Sequence, residues 1–222
     1  MTTAAIKEHP MLFSAPMVRA ILAGTKMQTR RIVKAPKNSA LIYDLESASV
    51  DGPNALDSGQ YLHVPFRHRD EPDEGCRERL HAPWDVGDGL WVKETFQIAP
   101  VGKFCPQQVK TPDKLPEGWT ILYRASGDEV IKPIHWKPSI FMPRWASRIT
   151  SEITGVRVER LQDISDRDVA AEGCSWNEPF GTATGMGNSP AQRAYYRLWE
   201  SIHGKNSWSS NPWVWVIKFK KI

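Results

Sequence analysis

Cysteine is scarce in this chain. The three present, Cys76, Cys105 and Cys174, are odd in number and widely spaced, with no Cys-x-x-Cys pair. That pattern argues against a disulfide framework and a cysteine-based zinc site, and it suits a reducing compartment. The six histidines are scattered. His63, His68 and His81 share one region but lack the spacing of a metal-ligand set. No metal and no cofactor are therefore expected. Long apolar runs are missing too. Nothing approaches the roughly 20 residues that a membrane-spanning helix needs, and Lys7, Glu8 and His9 stand where a leader would carry an apolar stretch. The expectation is a cytoplasmic protein with no membrane partner. A large excess of one charge sign is also lacking. The 29 Lys and Arg against 25 Asp and Glu leave +4. That permits contact with RNA or a phosphorylated small molecule but falls short of the clustered charge of a dedicated duplex binder.

What is present is an ordinary globular balance, 41% hydrophobic and 24% charged over 222 residues, enough for a domain with a buried core. There are ten tryptophans; such rings pack cores and barrel ends and also stack on bases. Residues 16–23 read as a short helix. Pro16 suits its first turn, Ser14 lies near its cap, Val18, Ile21 and Leu22 form its apolar stripe, and Gly24 suits the stop. Strands are expected at 90–94, 120–124, 144–160 and 214–220. A helix over 163–173 has Ser165 as its cap, Asp168 three residues on and Gly173 as its stop. An amphipathic helix covers 191–202. Segments 34–78 and 98–116, punctuated by proline, read as loops, the first with one hairpin near 60–66, and the charged run 67–79 reads as a solvated face. Residues 178–190, rich in Gly, Thr and Asn, read as a mobile loop. No repeat and no dividing linker is visible, so the expectation is one α+β domain over 1–222.

Four segments carry a resemblance. Ile21 to Arg31 runs from a helix end through Gly24 and Lys26 to Thr29 and Arg30; Val86 to Val92 places Gly87 and Asp88 before an apolar strand; residues 161–173 end in Ala171, Glu172 and Gly173; and Trp215 to Phe219 closes the chain as a strand. In this order they resemble the ASCH family of PUA-like proteins, whose members handle RNA or modified nucleobases. The match covers the ends and middle of the chain. Residues 35–80 and 97–137 look like insertions relative to the smallest members, and longer members of this kind are similar to phage and prophage proteins. The resemblance implies a small, mostly antiparallel PUA-like β-barrel flanked by helices. It also implies the activity of the smallest enzymes of the family: amidohydrolases that remove the acyl group from N4-acylated cytosine nucleosides such as N4-acetylcytidine. Their lysine, threonine and glutamate fall on Lys26, Thr29 and Glu172.

These residue types suit the chemistry. A threonine hydroxyl becomes a nucleophile when a neighbouring base takes its proton. Lys26 is that base if neutral, and burial beside Arg30 and Arg31 favours neutrality. Glu172 would protonate the departing N4 as a general acid. Arg30 and Arg31 would orient a phosphate, a sugar or the acyl oxygen, or simply be surface charge. Glu94, at the end of a strand, is the rival carboxylate. Trp84, with Trp91 and Trp136, would stack on the pyrimidine or pack the core. One geometric demand follows: positions three apart on a regular strand face opposite sides, so Lys26 and Thr29 converge only where the backbone is irregular. The modified nucleoside is one partner; RNA, bound by a PUA-like module without chemistry or cleaved by it, is the alternative.

Overall fold

A computed structural model describes residues 6–36, 41–51, 61–68, 77–101, 111–127, 135–175 and 189–222. Its elements, in chain order, are β1 (Glu8–Leu12), α1 (Ala15–Leu22), β2 (Gln28–Ile32), β3 (Leu41–Tyr43), β4 (Ser49–Asp51), β5 (Tyr61–His68), β6 (Arg77–Leu80), β7 (Gly89–Lys93), β8 (Phe96–Pro100), β9 (Trp119–Tyr123), β10 (Thr150–Arg160), α2 (Asp166–Ala171), α3 (Pro190–His203) and β11 (Trp213–Lys221). The chain is mixed α/β and dominated by strands. No closed barrel is detected among the described residues. The chain divides into two compact units: Met1–Thr25, Asp88–Glu152 and Lys220–Ile222 in one, Lys26–Gly87 and Ile153–Phe219 in the other.

In the first unit β1 runs parallel to β7, Glu8 opposite Gly89 through Leu12 opposite Lys93. The start of β10 pairs antiparallel on the other side of β7, Thr150 opposite Trp91. β1 is a strand that local pattern does not announce: five residues with Pro10 at the centre and only Met11 buried. Its partner lies 81 positions away, so its extended state is decided by pairing. Gly89 fits this approach, since a Cβ there would come within 3.2 Å of Glu8 Cγ. β8 and β9 pair antiparallel, Phe96 opposite Tyr123 to Pro100 opposite Trp119. They cover a core of Phe96, Ile98, Met142 and Ala146. Ile98 to Pro100 therefore belong to a strand, not to the loop that their prolines suggested. The helix α1 ends as expected. Gly24 takes φ +73°, and the Gly24 and Thr25 amides donate to Ile21 O and Ala20 O, a Schellman stop that only glycine enters without strain.

In the second unit the rest of β10, then β11, then β2 lie side by side. β11 is antiparallel to β2, Val214 opposite Ile32 to Lys218 opposite Gln28. Helices α2 and α3 pack here with Leu161, Ile164, Val169, Tyr195, Trp199, Trp208, Val214 and Val216 in one apolar core. A second sheet has the order β3-β5-β4, with β6 also on β5. The region read as a loop with one hairpin thus holds four short strands. Pro65 is tolerated: it is half-buried in β5 opposite Arg77 of β6, while Leu62 and Val64, alternating with it, are fully buried. The segment read as mobile, 178–190, lies outside the described residues except at its last two positions, which cap and open α3.

Candidate functional site

The second unit contains a buried cluster of charges built from two stretches of chain. One is Lys26 and Met27, an irregular pair just before β2 begins at Gln28. The other is the end of α2. Ser165 caps that helix, its Oγ accepting from the Asp168 amide at 3.2 Å. At the far end the Gly173 and Cys174 amides donate to Ala170 O and Val169 O, with Gly173 at φ +78°, another Schellman stop. Glu172 is the last residue before that glycine. Lys26 and Glu172 face each other as an isolated antiparallel bridge, and the Met27 amide donates to Ala171 O at 2.8 Å.

The side chains converge there. Lys26 Nζ donates to Glu172 Oε2 at 2.7 Å and to the Glu172 carbonyl oxygen at 3.0 Å. A cation against the last carbonyls of a helix is favourable in itself. Arg30 Nη1 donates to Glu172 Oε1 at 3.1 Å. The same guanidinium bonds to Glu159 and lies 3.5 Å from Asp168. Arg157 closes the ring, reaching Glu159 at 2.8 Å and Asp168 at 3.1 Å. Three carboxylates and three cations are thus chained in one network. Its inner members are closed off: the side chains of Lys26 and Arg30 are 0% exposed and that of Glu172 is 4% exposed. Its outer members, Arg157, Glu159 and Asp168, reach solvent.

The surroundings act on these groups in opposed directions. Burial pulls the Arg30 guanidinium down, but Glu172, Tyr195 and Glu159 outweigh it and its pKa is raised. Arg31 is lowered, because burial there exceeds the attraction of Glu172 and Tyr195. Burial raises Asp168, yet Arg157, the Ser165 hydroxyl, Arg30 and Gln28 bring it below the ordinary carboxylate value. Tyr195, whose ring lies 5.8 Å from the Arg30 guanidinium carbon, is held well above the usual phenol value by burial and by Glu172. Cys174 is pushed up to about 11 by burial and by Glu172, which makes it an inert thiol at neutral pH.

No family model, curated protein or solved structure matches this chain. Roles at the cluster rest on its own geometry and on the sequence resemblance.

The residues singled out from sequence fall into three groups. Lys26, Glu172 and Arg30 are brought together. Thr29 is buried next to Arg30 on β2, opposite Ile217 of β11. Strand alternation sets it on the other face of β2 from Gln28 and Arg30, and it makes no hydrogen bond to Lys26 or Glu172 among the described residues. Arg31 shares that alternation but still feels the Glu172 charge. Trp84 is half-buried in the second unit, with no ring contact to the cluster among the described residues. Glu94 belongs to the first unit. It is buried there and clamped by Arg148, Nε to Oε1 at 2.8 Å and Nη2 to Oε2 at 3.0 Å. Arg148 in turn lies 4.0 Å over the Tyr123 ring.

Sequence reasoning missed Glu159 and Arg157 as members of the network and read Asp168 only as a helix-capping residue. A signal existed. Arg157 and Glu159 alternate with the buried Val156 and Val158 along β10, which sets two opposite charges in one row of a strand. Tyr195 belongs to the apolar face of the amphipathic helix α3. That its ring also lies beside a guanidinium depends on the packing of α3.

Proposed function

We propose that the chain is an amidohydrolase of the ASCH type, with a PUA-like barrel as its ancestry, acting on N4-acylated cytosine nucleosides. The observation that supports this most is the 2.7 Å contact between Lys26 and Glu172, buried and adjoining Arg30. Amide cleavage needs a base for the attacking hydroxyl and an acid for the departing nitrogen, and in this mechanism Lys26 is the base and Glu172 the acid. Lys26 then takes the proton of the Thr29 hydroxyl as its oxygen attacks the acyl carbon. As the carbon–N4 bond breaks, Glu172 gives its proton to N4. The acyl group is left as an ester on Thr29, and water hydrolyses it to the free acid. Arg30 holds Glu172 in place, and Arg31 lies within reach of its field. The reading requires Thr29 Oγ1 to come to the Lys26 side when substrate binds.

A second reading has its own support. Both Glu172 oxygens are already taken by cations and the inner cluster is closed to solvent. Such a network also serves as a purely structural bolt between α2 and β2, in a protein that binds RNA without chemistry. One assay separates the two. Purified protein is incubated with N4-acetylcytidine, and cytidine and acetate are followed by chromatography. Turnover that disappears in folded Thr29→Ala and Lys26→Ala supports the hydrolase. No turnover, or turnover unchanged in both variants, leaves the structural reading.

A further inference from the structure

We propose that the outer face of β1, β7 and the start of β10 docks a second copy of this chain with its strands reversed, Trp91 lying at the centre. The proposal concerns the first unit and does not rest on the deacylase reading. The strand period defines the face. Met11, Leu90, Val92 and Ser151 point inward and are buried. The alternate residues point outward, and the register sorts them into three rows. Leu12 lies beside Lys93, Pro10 and Thr150 flank Trp91, and Glu8 and Glu152 flank Gly89. One end of the face is thus apolar and cationic, the middle aromatic, the other end acidic. The middle is held in place. The Lys93 ammonium lies 5.5 Å from the Trp91 ring centre and the Arg144 guanidinium carbon 5.8 Å. Arg144 also bonds to Glu8 at 2.8 Å and to Thr150 Oγ1 at 3.3 Å. Among the described residues Lys93 pairs with no carboxylate and the exposed Glu152 with no cation.

The cationic end carries apolar surface that water does not favour. Leu12 is 44% exposed, and the turn Ser139–Phe141 leaves Ile140 61% and Phe141 66% exposed. That turn adjoins the face, since Lys93 Nζ donates to the Ile140 carbonyl at 2.6 Å. It is also anchored: the Phe141 and Met142 amides donate to Pro138 O and Ser139 O, and Met142 is buried. The order of charges selects the occupant. A two-fold axis lying across the strands lays this face on its own copy with the strands reversed, an isologous contact. Lys93 of each copy then meets the row of Glu8 and Glu152 of the other, and Trp91 meets Trp91. An anionic lipid surface would be repelled by that acidic row. Buried aromatic and arginine side chains are the usual anchors of such contacts. Three strands of five residues span roughly 15 by 17 Å, below the roughly 800 Å² per partner of a standard interface, so the dimer is weak, with a Kd on the order of tens to hundreds of micromolar.

The test is sedimentation equilibrium of the full chain at low salt, from about 5 µM to about 1 mM. The mean mass should rise from one chain toward two. Trp91→Ala should weaken association about tenfold or more, as loss of a central anchor does. Lys93→Glu sets like charges against each other twice in the dimer, and so does Glu152→Lys; each should weaken association about tenfold or more. An equimolar mixture of these two variants restores both opposite-charge contacts in a heterodimer, so it should associate about as tightly as the wild type. The double variant carrying both changes should do the same with itself. These swaps sit on outward side chains, and the rescue stands even if Trp91→Ala fails to fold in a thermal melt. Three results would overturn the proposal: a single-chain mass at every concentration, a dimer that neither charge reversal weakens, or a mixture that associates no better than either variant alone. None of these readouts depends on turnover of an acylated nucleoside, so they stand apart from the deacylase reading.

Discussion

Neutralising Glu172 should destabilise the chain far more than removing an ordinary surface acid. In Glu172→Gln the shape stays and the charge goes. Lys26 then keeps its bond to the Glu172 backbone carbonyl, at 3.0 Å, but loses the Glu172 carboxylate at 2.7 Å, and its side chain has no access to solvent. Arg30 loses one partner but keeps Glu159 and Asp168. Breaking a buried pair from one side costs about 3–5 kcal/mol, because the surviving charge stays desolvated. Lys26→Met should fall near the lower end of that range, since Glu172 still has Arg30 at 3.1 Å. The double variant removes both charges together and should cost less than the sum, with a coupling of about 1–3 kcal/mol. The assay is urea unfolding followed by tryptophan fluorescence. At a slope of roughly 2–3 kcal/mol per molar, Glu172→Gln should lower the midpoint by more than 1 M. Midpoints of both single variants within about 0.2 M of wild type, with additive effects in the double, would refute the claim that this pair is buried and mutually compensating.

Other outcomes follow from the same geometry. Thr29→Ala should melt near the wild-type temperature and release no cytidine from N4-acetylcytidine. Lys26→Arg should lose about 10²–10⁴-fold in turnover, because a guanidinium cannot give up its proton to serve as a base. Glu94→Gln should leave turnover unchanged while lowering the melting temperature, since it strands Arg148 in the first unit. Alkaline stability gives a pH test. Cys174 rises from 9.0 to about 11 in the folded chain, chiefly through burial. A raised folded pKa contributes stability that is intact below the unfolded value and lost as pH climbs through the folded one. Unfolding free energy should therefore fall between pH 9 and about 11, and Cys174→Ala should flatten that decline in urea titrations. An unchanged slope would show that the thiol is not buried beside Glu172.

The helices were legible because their signals are local. Ser165, Gly173 and Gly24 each act within four or five residues, and the caps formed as expected. The alternation of β10 and β11 was legible for the same reason, each carrying a buried row over several residues. β1 and the sheet of β3 to β6 were not. Their segments are short, charged or interrupted by proline, and they are extended because a partner strand supplies the hydrogen bonds. Lys26 and Glu172 were picked out together by resemblance, whereas the roles of Arg157, Glu159 and Asp168 were missed. Nothing within a few residues of Glu159 says that Arg30, 129 positions earlier, will reach it.

By itself the sequence determined the residue types, the caps and stops, and the irregular stretch that frees Lys26 from strand alternation. It also determined the order in which the charges arrive. Only the tertiary structure decided which charges meet. The Schellman turn after α2 places Glu172 opposite Lys26 in one backbone bridge, and the packing of α3 sets Tyr195 against Arg30. The same packing excludes water from Lys26, Arg30 and Glu172, and that exclusion couples these three charges most strongly. Coulomb attraction is weak where water screens it and strong where it does not. Burial is a property of the whole fold, so no local reading of Lys26 or Glu172 contains it.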